Sequence, residues 1–358
     1  SHELRTPVTS IQNSISNIMA GVTGKISTKT RQYLETCKGD CHRLADLIND
    51  LVDMAKLDSG LMPINRGVAS ITRLVRKVEQ NYYEQAGKKQ IRLDNKLCGY
   101  RQPVLADGKR IYQVISHLVE NALKYTADGG KIILDCSEDE ENFTFSVTDT
   151  GTGISENIQE HIFKKFFQEN RQAGAGYKGS GLGLAICRGI INMHGGNIWV
   201  ESRKDIGSTF KFTLPKVEPA VALRRQLSIL TEKSEVSKQG FALMIINCAT
   251  EHEDPANNDY IRTLIKEIIQ NSDNFILCDD DIIVKTYDYE LSLLINEAQA
   301  GHIKKVSEKI HKILKNTVSK TCNKRLIMPM FGIALCPEDS RNPRELEEKA
   351  RLGLKRIS

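Results

Sequence analysis

No run of apolar residues in this chain is long enough to cross a bilayer as a helix. A dominant charge is missing as well: 50 Lys and Arg face 45 Asp and Glu, and a net +5 gives no electrostatic case for a nucleic-acid partner. Regularly paired cysteines are also absent. The nine cysteines are odd in number and scattered, which argues against a disulfide framework and for reduced thiols in a cytoplasm. Tryptophan occurs once, at Trp199, in a strand-like pattern that reads as packing. What is present, 40% hydrophobic and 27% charged residues over 358 positions, suits a globular protein of about two or three domains.

Periodicity divides the chain. Residues 1–61 read as a helical hairpin. Apolar residues fall at Leu4, Val8, Ile11, Ile15 and Ile18, and, after a polar turn around 21–28, at Leu34, Cys37, Cys41, Leu44, Ile48, Leu51 and Ala55. Steps of three and four make a heptad seam, on which Cys37 and Cys41 act as small hydrophobes. Two such helices bury little alone, so a homodimeric four-helix bundle is expected. Leu57-Asp58-Ser59-Gly60, with Pro63 beyond, is a helix stop. Residues 62–217 mix the two periods: helical over 71–86 and 108–125, alternating over 131–136, 143–148, 198–202 and 209–214. That order predicts an α/β sandwich with a largely antiparallel sheet. Residues 218–238 are polar and charged and read as a linker, partly helical through 223–230. Residues 239–358 return to alternation, with strands at 241–247, 274–277, 282–286 and 328–335. Helices are expected at 260–270, 298–315 (strongly basic) and 344–356, giving a second α/β domain.

Four clusters within 117–213 carry chemistry. His117-Leu-Val-Glu-Asn121-Ala-Leu-Lys124-Tyr125-Thr126 lies on a helix, where Asn121 and Lys124 share a face; one can hold Mg²⁺ while the other meets phosphate. Asp149-Thr-Gly151-Thr-Gly153-Ile154 follows a strand. An Asp there can accept from an adenine amino group, and the glycines let backbone approach a nucleotide. Phe163-Lys-Lys-Phe166-Phe167 comes next. Gly179-Ser-Gly181-Leu-Gly183-Leu184 then runs into a helix, the layout of a phosphate cradle. Ahead of them all stands Ser1-His2-Glu3-Leu4-Arg5-Thr6-Pro7. His2 and Thr6 share a helix face at i and i+4, and a neutral imidazole is a competent nucleophile toward phosphorus. Pro7 cannot donate to the Glu3 carbonyl, so the turn should bend there.

In this order and spacing the motifs resemble the H, N, G1, F and G2 boxes of sensor histidine kinases, over residues 1–217. The resemblance implies ATP and Mg²⁺ as cofactors and His2 as phosphoacceptor, oriented or deprotonated by Glu3. It implies Asn121 as the Mg²⁺ ligand, with Lys124 and Tyr125 on the phosphate side. Asp149 would select adenine beside Gly151 and Gly153, and Thr209 of Gly207-Ser208-Thr209 would help position the base. Gly179, Gly181 and Gly183 would belong to a mobile lid. The partner implied is a response-regulator receiver domain, whose Asp takes the phosphate. Glu3-Leu-Arg-Thr6 resembles the E-x-x-T pattern with which family members also remove it. A sensory domain is expected upstream of this chain; the region itself is expected in the cytoplasm, with any membrane anchor in that upstream part. Two positions depart from the family: His117 stands where Asn is common, and Lys164-Lys165 replaces an acid-Pro or acid-Arg pair. They motivate an alternative, a nucleotide-binding scaffold with weak kinase chemistry that works through its C-terminal domain.

Residues 239–358 resemble, more faintly, a GGDEF domain, the fold of diguanylate cyclases. The resemblance rests on the strand at 241–247, on Phe331-Gly-Ile-Ala-Leu-Cys-Pro337, and on Tyr287-Asp288-Tyr289-Glu290-Leu291 at the place of the signature. Tyr and Asp replace the two glycines that would let backbone approach GTP. Asn247 replaces the first metal-binding Asp. Cys278-Asp-Asp-Asp281 lacks the Arg of the product-binding motif. The expectation is a degenerate, regulatory or interaction domain without cyclase activity. The basic stretch 302–315 is expected to be a solvated helix face.

Overall fold

The computed structural model describes the backbone of residues 2–97, 104–168, 180–247, 282–287, 290–296, most of 303–312 and 330–356, with side chains from Thr6 onward except at 282, 283, 285–287, 355 and 356. Helix α1 (His2–Met19) and helix α2 (Thr28–Asp58) form the hairpin. Ser27 starts α2: its hydroxyl accepts from the Thr30 amide at 3.0 Å, a donor the first helical turn would otherwise leave orphaned. Arg31 of α2 donates to the Met19 carbonyl and ties the turn shut. The helices run antiparallel, so His2 and the last turns of α2 lie at the same end. Ile11, Leu44 and Leu51, all on the apolar seam, remain about half exposed on the single hairpin.

The α/β unit has a five-stranded sheet in the order β2 (Arg92–Asn95), β4 (Lys131–Glu138), β5 (Asn142–Asp149), β7 (Gly207–Pro215), β6 (Ile198–Arg203). Only the β2–β4 pair is parallel. Strict alternation buries Phe143, Phe145 and Val147 of β5 and Phe210, Phe212 and Leu214 of β7 on one face. Helices α3 (Ile71–Lys88), α4 (Gly108–Tyr125) and α6 (Gly183–Met193) cover that face and complete the core; α5 (Glu156–Gln159) is a single turn. The other face is open. Trp199 stands there with its indole N–H on Glu201, so the packing role expected for it does not hold. Two short strands, β1 (Gly67–Ala69) and β3 (Val104–Ala106), pair beside the unit and had no signature in the sequence.

Asp107 links several of these parts. Its Oδ1 caps α4 by accepting from Lys109 and Arg110, and its Oδ2 accepts from the Asn65 amide. Its own N–H donates to Nε2 of buried His194, whose Nδ1 meets the Ile190 carbonyl at 2.8 Å. His194 is therefore the neutral tautomer with Nδ1 protonated, and burial holds its pKa below the usual histidine value. The caps of α4 and α6 are thus fixed to each other.

Residues 218–238, expected as a partly helical linker, form a long packed helix, α7 (Pro219–Ser237). Ala222, Leu223, Leu227 and Leu230 are buried against β8 (Phe241–Asn247) and the sheet beyond. The apolar stripe is narrow and interrupted by charges, which is why composition suggested a linker. On its way α7 also touches the first α/β unit: Gln226 Oε1 accepts from the Val68 amide at 2.9 Å, and the Val68 side chain joins the C-terminal core.

The C-terminal sheet has the order β12 (Lys355–Arg356), β11 (Met330–Cys336), β8, β10 (Glu290–Asn296), β9 (Ile282–Tyr287), all antiparallel. Helix α8 (Pro343–Leu352) packs on it and ends earlier than expected, because the chain turns into β12. The described helical residues within 303–312 bury Ile303, Val306 and Ile310 and expose Lys305 and Lys312, so the basic face there is the solvent face. The expected elements at 260–270 and 274–277 and the Cys278–Asp281 motif lie outside the described residues.

Candidate active site

Helix α4 presents Asn121, Lys124 and Tyr125 at its C-terminal end, beside the loop that follows β5. No described residue hydrogen-bonds the Asn121 side chain. The Lys124 ammonium lies 5.0 Å from the centre of the Tyr125 ring. The Thr152 amide donates to the Tyr125 carbonyl at 3.3 Å, which ties the glycine loop to the end of α4. Thr126, at the helix terminus, has a buried hydroxyl with no partner among the described residues.

Asp149 ends β5 and is almost fully buried. Its Oδ1 accepts from the Gly151 amide at 2.8 Å, and the Ser208 amide supplies a second bond. Burial still dominates and pushes its pKa above the ordinary carboxylate value. Two backbone amides without a counter-cation leave a carboxylate with accepting capacity to spare. The loop beyond is crowded. Gly153 has φ of +64°, and a Cβ there would come within 1.9 Å of the Arg203 carbonyl, so no other residue fits. A Cβ on Gly151 would fall 2.6 Å from the Tyr125 carbonyl. A carboxylate with accepting capacity to spare and an orphaned hydroxyl beside a glycine-bearing loop suit a ligand that donates a hydrogen bond to Asp149.

Register corrects one expected residue. Asp149 pairs with Ser208, and Thr148 with Thr209. Thr209 therefore points to the open face of the sheet, where its hydroxyl meets that of Thr148 at 3.1 Å, and Ser208 shares the face of Asp149. A one-residue shift exchanges the two faces of a strand. Ser202, not singled out in the sequence, is the hub behind this wall. Its hydroxyl donates to the Gly207 carbonyl, accepts from the Ile154 amide and lies 2.9 Å from that of Ser208.

The turn into α6 is anchored on the Phe166 backbone. Gly181 (φ +70°) packs so closely on the Phe166 backbone that a Cβ would lie 2.9 Å from it, and the Phe166 amide donates to the Gly181 carbonyl. Phe163 is buried edge-on to Phe210. Gly179 lies outside the described residues, as do the side chains of His2 and Glu3. The His2 backbone opens α1, and Thr6 is exposed on it. His117 contacts α2 and α6. Its Nε2 lies 3.9 Å from Asp50 of α2, and its Nδ1 lies 3.8 Å from the Cys187 thiol of α6, whose pKa burial drives up.

Residues 1–60 match the family model described as His Kinase A (phospho-acceptor) domain. Residues 106–218 match that of histidine kinase-, DNA gyrase B- and HSP90-like ATPases. The circadian input-output histidine kinase CikA of Synechococcus elongatus is 33% identical over 224 residues, covering 61% of this chain and 30% of that protein. Sensor protein SrrB of Staphylococcus aureus is 34% identical over 218 residues, covering 61% of this chain and 37% of its own. The chain thus spans about a third of the length of these relatives. Among solved structures, full-length ShkA in complex with AMPPNP is 26% identical with a TM-score of 0.52, covering 61% of this chain and 46% of that one. No helix among the described residues is long and apolar enough to cross a membrane. The first 218 residues are thus similar, in two parts, to the phosphoacceptor and ATPase domains of histidine kinases.

Proposed function

We propose that this chain works in a sensor histidine kinase of a two-component system, moving the γ-phosphoryl group of ATP to His2 and from there to an Asp of a receiver domain. The observation that supports the reading is the buried, amide-held Asp149 at one end of a glycine-bearing loop that the Thr152 amide ties to the Tyr125 carbonyl at the end of α4, the helix that carries Asn121 and Lys124. In the transfer a ring nitrogen of His2 attacks the γ-phosphorus, the bond to the β–γ bridging oxygen breaks, and ADP leaves. The ring proton passes to the Glu3 carboxylate. Asn121 would hold Mg²⁺, which supplies neutralisation of phosphate charge. Lys124 adds a point charge beside the phosphates. The half-exposed seam of the hairpin supports a homodimer through a four-helix bundle. Thr6, exposed one turn from His2, would orient water toward the receiver's aspartyl phosphate in the reverse, dephosphorylating direction.

The C-terminal domain reads as a degenerate GGDEF-like regulatory module. Glu290, the one residue of the signature that keeps its identity, is 1% exposed and gripped by both guanidinium nitrogens of Arg351 at 2.6 and 3.0 Å. A carboxylate committed in this way is unavailable to a metal. Acid-labile phosphate from Mg-ATP on the parent, absent in His2→Ala, tests the kinase reading. Cyclic-di-GMP formed from GTP and Mg²⁺ would overturn the reading of the C-terminal module. The scaffold reading draws on His117 being turned to Asp50. It would be favoured by ATP binding without phosphate on His2.

A further inference from the structure

The acidic edge of α2 engages the ATPase domain at several points. Ser180 of the lid hinge donates to Asp50 Oδ2 at 3.0 Å. Arg110 and Gln113 of α4 both donate to Asp53 Oδ2 at 2.9 Å. Lys165 meets Asp58 at 2.5 Å. Between these polar contacts Leu57 packs on Gly189 of α6, where a Cβ would lie 2.8 Å from the leucine methyl. Asp50 is the member that reaches the nucleotide machinery. The Ser180 hydroxyl that it receives accepts from the Leu182 amide at 3.1 Å, and Leu182 is the residue from which α6 starts. No side chain caps that helix. The carboxylate of Asp50, relayed through one hydroxyl, therefore sits where the positive end of α6 and the glycine-rich turn favour an anion. His117 lies on its other side, with Gly183 against the ring.

We propose that Asp50 stands in for a nucleotide phosphate at the lid end of α6, so that docking of the ATPase domain on α2 and binding of ATP exclude each other. The inference rests on the nucleotide-site reading above. Ser180 and the first amides of α6 serve either the carboxylate or a phosphate. A triphosphate brought into the same corner meets the charge of Asp50, the member of the acidic edge hydrogen-bonded to Ser180. ATP then releases the domain from α2 at the end of the hairpin that carries His2, and the acidic edge recaptures the emptied domain after transfer.

The test is calorimetric binding of AMP-PNP to the full chain, for the parent, Asp50→Asn, Ser180→Ala and Asp46→Asn. Loss of one charge-assisted hydrogen bond on the docked side should tighten binding to Asp50→Asn by about tenfold, with Ser180→Ala moving the same way. Asp46→Asn, which changes the nearby charge without touching Ser180, should stay within about twofold of the parent. Asp50→Asn binding no tighter than the parent overturns the competition. Hydrogen exchange gives an independent readout. Saturating AMP-PNP should speed exchange over residues 50–58, and unchanged protection with nucleotide bound also overturns it. A parent that binds no AMP-PNP sinks the nucleotide-site reading and the competition with it. The two failures are distinguishable, because Asp50→Asn would still loosen 50–58 without nucleotide if the docking is real.

Discussion

Asp149 and Glu290 are both buried acids at strand ends, one closing β5 and the other opening β10. They differ in their partners. Asp149 has two backbone amides and no cation; burial wins and its pKa rises. Glu290 has Arg351 on both oxygens, and Arg351 in turn is shared with Glu347. The first arrangement leaves a carboxylate to be completed by something outside the chain. The second completes it internally. Of these two strand-end acids, the one with accepting capacity to spare is the candidate binding group, and the one locked by a guanidinium is architecture.

That comparison can be broken most forcefully at Arg351. Arg351→Ala strands a buried carboxylate and should destabilise the C-terminal module by about 3 kcal/mol in urea unfolding, while Glu290→Gln with Arg351 intact should cost clearly less. Equal, small losses in both would mean that the pair is not structural. At the other acid the effect falls on ligand instead. Asp149→Asn should weaken ATP by about 10- to 100-fold, the worth of a charge-assisted hydrogen bond, yet leave the melting temperature of the nucleotide-free chain equal or higher. A fall in both would make Asp149 architecture too.

The pH dependence sharpens the same point. A carboxyl whose folded pKa is raised costs the fold once ionised, so stability is lost as pH climbs from the unfolded value through the folded one. The advantage of Asp149→Asn over the parent should therefore grow across that window and be flat above it. Urea midpoints at a series of pH values would show it. The smallest effect concerns the joint between the two units. Gln226→Ala leaves the Val68 amide without its acceptor and should cost about 1 kcal/mol, visible as separation of one unfolding transition into two.

The candidate nucleotide site could be proposed from sequence because its residues sit in short contiguous strings whose chemistry is local: Asn121 and Lys124 on one helix face, Asp149 with its glycines, the turn into α6. The α/β sandwich was legible from strict alternation in β4, β5 and β7. What escaped depended on pairing across long stretches of chain. Thr209 was chosen over Ser208 because the string does not reveal which face of β7 turns inward, and Ser202 had no local mark at all. The Glu290–Arg351 lock joins residues 61 apart. The docking edge had a faint signal, since Asp46, Asp50 and Asp53 fall at helical spacing on α2, but nothing in the sequence says what such an edge meets. Helix α7 was hidden by charges flanking its apolar stripe.

The central claim is that the Asp149 site feeds phosphate to His2. The most direct measurement is incorporation of acid-labile phosphate from Mg-ATP in the full chain, with His2→Ala as blank and Asp149→Asn alongside. The account predicts phosphate on the parent, none on His2→Ala, and a sharply reduced rate on Asp149→Asn that recovers in part at high ATP. Phosphate that persists in His2→Ala, or a rate indifferent to Asp149, would contradict it.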